Sequence, residues 1–180
     1  MEFVPNTKIC LEVPWESQLD NESGFGWREC FSSSCAMLAR YWGKVKNDAH
    51  YCKQREKHGD STDARAQIET LKALGLTVSF RTNARRASIS DEIFLKRPVA
   101  VGWLHVGPPR FPRGGGHWSV VVGLTDTGVI MHDPNGEADL IRGGYLPSLN
   151  GAYLDYSWKN WGPRWEVEGP GSGWLLTCRL

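Results

Sequence analysis

The sequence lacks most of the features that would assign it quickly to a class. No apolar run approaches the ~20 residues of a membrane-spanning helix. The opening MEFVPNTKIC has neither a basic start nor an apolar stretch behind it, so neither stable membrane insertion nor a signal peptide is expected, and the chain should begin life in a cytoplasm. Net charge is nearly absent: 21 basic and 20 acidic side chains leave +1, which argues against nucleic acid or an anionic surface as the main partner. Five cysteines (Cys10, Cys30, Cys35, Cys52 and Cys178) cannot all pair, and none lies in a CxxC knuckle with a matching second half, which speaks against a disulfide scaffold or a structural zinc site. Asp20, Asp60, Asp63 and Glu137 supply carboxylates at no spacing used by metal ligands, so no metal and no cofactor is expected. There is no internal repeat and no low-complexity linker.

What is present is core material. With 180 residues, 41% of them hydrophobic, the chain suffices for one full core and is short for two, so one domain over residues 1–180, as a monomer, is expected. A strand over Cys10 to Val13 ends at Pro14, and Gly24 and Gly26 keep the following loop flexible. Phe31, Cys35, Leu38 and Trp42 recur at steps of four, three and four, predicting a helix from about Ser32 that Gly43 closes. Asp48 to His58 reads as a second, more exposed helix with Asp48 as N-cap, and Ser61 to Leu74 as a third with Ala64, Ile68, Leu71 and Leu74 inward. The periodicity then changes to strands: Thr77 to Arg81, a run VAVGWL after Pro98, a hairpin RGGGHWSVVVGL–TDTG–VIMHDPNG, a further strand in ADLIRGGY and a last one at Trp174 to Cys178. Asp91 to Lys96 is a short helical turn, and the basic cluster RTNARR reads as solvated surface. Helices first and an antiparallel sheet second is an α+β pattern.

The stretch ECFSSSCAMLARYWG holds two sulfurs with different settings. Cys35 lies on the apolar stripe and reads as packing. Cys30 precedes the stripe by a turn, where unpaired backbone N–H groups and the positive end of the helix dipole gather, a setting that stabilises a thiolate. A nucleophilic thiol needs a base, and the base an orienting group. Of the five histidines, His117 follows three glycines and opens a strand that would hold its ring rigidly. Asp133 ends the partner strand in MHDPNG, so pairing across TDTG brings it beside His117, where it would accept the Nδ1 proton and leave Nε2 facing the thiol. His132 would point to the opposite sheet face. Gln18 and the Cys30 N–H could donate to the oxyanion of an attacked carbonyl. Trp118, directly after His117, is by position the cleft residue for substrate. Trp158, Trp161 and Trp165 read first as core and second as a cleft wall, and residues 107–116 as a connector or a lid.

VPWESQ followed by ECFSSSCAMLARYWG resembles the glutamine segment and cysteine helix of papain-like cysteine peptidases of the kind that includes the double-glycine leader peptidases of bacteriocin exporters. GGHWSVVVGL resembles their histidine strand and HDP their orienting aspartate. The resemblance covers most of Leu11 to Tyr145 and implies a papain-like fold with helices packed on an antiparallel sheet. It places Cys30 as nucleophile, His117 as base, Asp133 as orienting acid and Gln18 in the oxyanion hole. The chain departs from the pattern after the cysteine, where Phe31 and Ser32 replace Gly-Pro, which bears on the substrate more than on the chemistry. GGGHWSV through SGWLL also looks like the peptidase domains of bacteriophage endolysins, implying hydrolysis of a peptidoglycan stem or cross-bridge peptide after release to the cell wall of an infected bacterium. Two rival readings are a same-clan peptidase that trims a protein or leader peptide, and a binding module without turnover. Transglutaminase-like acyl transfer uses the same residue types.

Overall fold

The structure, a computed structural model, describes residues 8–180; residues 1–7, the larger part of the opening segment read for a signal peptide, lie outside it. Three helices come early in the chain: α1 (Cys30–Tyr41), α2 (Asp48–Arg55) and α3 (Ala64–Ala73). They are preceded by β1 (Ile9–Cys10) and followed by β2 (Thr77–Ala84), α4 (Arg86–Phe94), β3 (Val99–Trp103), β4 (His117–Leu124), β5 (Gly128–His132), β6 (Leu154–Ser157), the single turn α5 (Gly162–Trp165) and β7 (Gly173–Arg179). The strands form one antiparallel sheet in the order β2-β7-β3-β4-β5-β6, with β1 paired to β4. The α+β arrangement of helices on an antiparallel sheet is the one expected. Among the described residues no helix is long and apolar enough to cross a membrane.

β4 is the central strand. It is buried from His117 to Gly123, which requires cover on both sheet faces. β3 pairs with residues 117–121 of β4, and β1 takes over at Gly123 and Leu124. A Cβ on Gly123 would sit 2.2 Å from the Ile9 carbonyl oxygen, so glycine permits that handover. α1 packs on β4 through Phe31, whose ring lies parallel to Trp118 at 3.8 Å. Cys35, Met37 and Leu38 behind it are fully buried.

Several boundaries differ from the sequence reading. α1 begins at Cys30, two residues early, and ends as expected with Gly43 in the left-handed region at φ 69°. Asn47, not Asp48, caps α2, accepting from the His50 N–H at 2.9 Å. That helix is less exposed than expected, because Tyr51, Cys52 and Arg55 face inward. The inward face of α3 is broader than expected: Leu71 is buried and Ala64, Ile68 and Leu74 pack half-buried against the core, but Ala66, Gln67 and Thr70 are buried too, Gln67 binding Ser32 and Tyr51 so that a polar residue takes a core position. The RTNARR cluster is solvated surface as expected, exposed at every residue but Ala84, and it spans the end of β2 and the start of α4. ADLIRGGY is a tight turn closed by one Ala138–Tyr145 bridge, since Gly143 and Gly144 adopt φ of 90° and 81°, and the extra strand lies later, at β6. Gly26 supplies close approach rather than flexibility, for a Cβ there would meet the Gln18 carbonyl oxygen at 2.1 Å.

Candidate active site

α1 starts at Cys30 itself, so the sulfur projects from the first helical residue and is half-buried at a cleft of about 470 Å³. Among the described residues, the Cys30 N–H has no acceptor, as befits the first turn of a helix. The other cysteines are differently placed. Burial pushes the Cys35 thiol well above its ordinary range and those of Cys52 and Cys178 up to about 12, while Cys10 is exposed on the short β1.

His117 enters from the opposite wall. Gly114, Gly115 and Gly116 line the cleft ahead of it, and Gly114 and Gly116 have φ of 115° and 84°, conformations that side chains rarely adopt. The strand then fixes the ring, whose Nε2 lies 2.8 Å from Asp133 Oδ1. The hairpin therefore brings base and carboxylate together as the sequence implied, with one correction: Nε2 faces Asp133, which leaves Nδ1, not Nε2, for the thiol. The far nitrogen of the ring reaches across the sheet to the residue beyond the end of β5, while the nitrogen nearer the backbone faces α1.

Asp133 is fully buried and its charge is surrounded by donors: the Asn135 N–H at 3.0 Å, the Tyr156 hydroxyl at 3.1 Å and the Tyr145 hydroxyl at 3.2 Å, besides the imidazole. Its backbone is held as well. The Asp133 N–H donates to Gly151 and the Trp15 indole to the Asp133 carbonyl, each within 3 Å. Trp103 stands edge-on to His117 at 5.3 Å, its indole N–H donating to Ser119 Oγ at 2.7 Å. The imidazole is thus shut off from water on one side. Burial by itself would strip the His117 proton. The charge of Asp133 and the hydrogen bond to it, with the nearby Cys30 sulfur adding to them, outweigh that effect and hold the imidazole pKa up at about 10. An imidazolium that persists at neutral pH is the counter-charge a thiolate requires.

Trp118 lines the same cleft, as its position implied, with Gly102 beneath its ring and Phe31 stacked on its face. Gln18 is buried and is not among the cleft-lining residues. Its side-chain amide donates to the Gly26 carbonyl at 2.9 Å, the tight turn at Gly26 having captured one of the two amide protons. His132 turns to the other face, as expected, donating to the Val13 carbonyl and accepting from the Tyr153 N–H. Trp161 and Trp165 are stacked and buried, which fits the core reading, yet Trp165 and the half-exposed Trp174 also edge the cleft. Among the described residues no group of three or more His, Cys, Asp or Glu is placed to hold a metal ion.

Sequence reasoning missed Trp103, His105, Tyr145 and Tyr156, all of which pack around the His117–Asp133 pair. Only Tyr145 carried a signal, as the first large residue after a Gly-Gly turn.

The Peptidase_C39 like family model matches residues 10–162. Three solved structures share the fold. A C39-like peptidase from Bacillus anthracis superposes with a TM-score of 0.66 at 15% identity, over 97% of this chain and 99% of that one. The peptidase domain of Streptococcus ComA, a bifunctional ABC transporter of a quorum sensing pathway, gives 0.56 at 18% identity over 95% and 96%. A double glycine motif protease from an AMS/PCAT transporter, in complex with the leader peptide, gives 0.55 at 17% identity over 97% and 96%. A search of curated protein sequences finds no match.

Proposed function

The chain belongs to the Peptidase_C39 like family of cysteine peptidases, and from that premise we propose that it hydrolyses an amide bond of a peptide laid in the Cys30–His117 cleft. The observation that carries this reading is the convergence of one half-buried thiol, one imidazole and one buried carboxylate from α1, β4 and the end of β5. Cys30 attacks the carbonyl as a thiolate. His117 gives its Nδ1 proton to the leaving amine, then takes one from the water that cleaves the thioester. Asp133 accepts from Nε2 in both stages and fixes the ring. The Cys30 N–H receives the oxyanion, joined by the second amide proton of Gln18 once that side chain turns from its buried position toward the cleft. Trp118, its ring fixed by the Phe31 stacked on one face, borders the substrate backbone in the cleft.

For the substrate we propose a peptidoglycan stem or cross-bridge peptide. The support is the endolysin-like stretch of sequence, whose last part supplies Trp165, Val167, Glu168, Ser172 and Trp174 to one wall of the cleft. A second reading, a protein leader peptide, is favoured by the likeness to a double glycine motif protease solved with its leader peptide. Mass spectrometry separates them: purified peptidoglycan and a panel of double-glycine peptides are each incubated with the protein and with Cys30→Ala. New muropeptides from the active protein alone support the first, cleavage of the panel alone supports the second, and no product from either substrate counts against both.

A further inference from the structure

The family model ends at residue 162, and two residues later the chain buries an arginine. The Arg164 side chain has no solvent exposure, and among the described residues no carboxylate pairs with it. A guanidinium stripped of water without a counter-charge is tolerated only where its N–H groups find acceptors. Here they find three carbonyls: Leu140 from Nε at 3.2 Å and Nη2 at 2.7 Å, Leu104 from Nη1 at 3.2 Å and Gly107 from Nη2 at 2.6 Å. The Leu104 N–H in turn donates to the Arg164 carbonyl at 3.0 Å.

Those carbonyls belong to two segments that flank the candidate active site. Leu104 and Gly107 bracket His105, whose ring lies 5.6 Å from that of His117. Leu140 lies in the turn that delivers Tyr145, whose ring is 5.7 Å from His117 and whose hydroxyl donates to Asp133. The two segments are also tied to each other, the Gly144 N–H donating to the His105 carbonyl at 2.6 Å. A lysine in place of Arg164 would present its donors from one point and could not span the three carbonyls.

We infer that Arg164 is a positioning residue, one that clamps the His105 and Tyr145 segments and through them sets the geometry of the His117–Asp133 pair. The inference rests on the reading of Cys30, His117 and Asp133 as the reacting groups. The titratable groups that face His117 are Cys30 from α1, Asp133 after β5, His105 after β3 and Tyr145 from the turn; Asp139 is the carboxylate nearest to Arg164 in effect.

The test is the pH dependence of Cys30 alkylation by iodoacetamide, followed peptide by peptide in a mass spectrometer with exposed Cys10 as internal reference. Loosening the carboxylate weakens its hold on the imidazolium that faces the Cys30 sulfur. Arg164→Lys and Tyr145→Phe should each slow Cys30 at about pH 6 by roughly three- to tenfold, with Cys10 unchanged. A folded Arg164→Lys protein with the wild-type Cys30 profile overturns the inference. Should that variant not fold, an unchanged profile in Tyr145→Phe overturns it equally, because the effect runs through that hydroxyl. Failure of the underlying reading looks different: His117→Ala would then leave the Cys30 profile as in the wild type.

Discussion

Replacing Asp133 by Asn keeps the shape of the side chain and removes its charge, and the structure says what that does to His117. Burial is the largest influence on the imidazole and works against its proton; the Asp133 charge and hydrogen bond, aided by the nearby Cys30 sulfur, reverse it. Without the carboxylate, burial is opposed by the Cys30 sulfur alone and the pKa drops well below about 10. At about 1.4 kcal/mol per pH unit, that is a loss on the order of a few kcal/mol from the charged pair. The sign of its pH dependence follows: a raised histidine pKa contributes stability that is complete below about pH 6.5 and fades as pH rises through about 10. Asp133→Asn is therefore most destabilising in mildly acidic buffer and least so in alkali, unlike a variant that only disturbs packing. The amide has a further effect, because its N–H can turn toward Nε2 and force the ring proton onto Nδ1, where the base can no longer accept from the thiol. Peptide hydrolysis at neutral pH should fall by about 10²- to 10⁴-fold. Urea unfolding across the pH range and NMR titration of nitrogen-15-labelled histidine rings measure both consequences. A His117 resonance that still titrates near 10 in the variant, or a stability loss that grows with rising pH, would refute the reasoning.

Cys30→Ala should abolish hydrolysis in the muropeptide and peptide assays, at a cost in urea unfolding of about 1 kcal/mol or less, since the sulfur is only half-buried. Gly102→Ala places a methyl 2.9 Å from the Trp118 ring. It should destabilise by about 1–3 kcal/mol in chemical denaturation and raise KM more than it lowers kcat, as the ring shifts in the cleft. The Asp48 carboxyl is pushed up to about 6, first by burial and then by the charge of Asp20, with Glu29 adding to it. Because a raised carboxyl pKa contributes stability below its unfolded value near 3.8 that is lost as pH rises through about 6, Asp48→Asn should gain up to about 1–2 kcal/mol at pH 7, after allowance for solvent screening. The gain should vanish toward pH 4, as thermal melts at the two pH values will show.

The elements that were legible in the sequence are those whose signal is local. The stripe Phe31, Cys35, Leu38 and the closing Gly43 define α1 without reference to the rest of the chain, and the hairpin around TDTG defines β4 and β5 from alternation and turn residues. That hairpin was enough to place His117 beside Asp133. What escaped depends on partners distant in sequence. Gln67 faces inward because Tyr51 and Ser32 receive it, and no pattern within α3 announces that. ADLIRGGY alternates like a strand, but Gly143 must lie against the Gly107 backbone, where a Cβ would come within 2.2 Å of its nitrogen, so the segment turns.

The ring nitrogen of His117 is the instructive case. Adjacency of two residues in a hairpin fixes that they meet, not which atoms do, because the imidazole has a near and a far nitrogen and their order depends on where α1 crosses the sheet. The crossing is set by Phe31 stacking on Trp118, and that requires Gly102 under the tryptophan. The three residues lie on three different elements, so the orientation of the base is a property of packing. The residue that displaces the family's glycine after the cysteine therefore sits in the contact that aims the helix. An altered Phe31 should change the distance from Cys30 to His117 before it changes either residue's own environment.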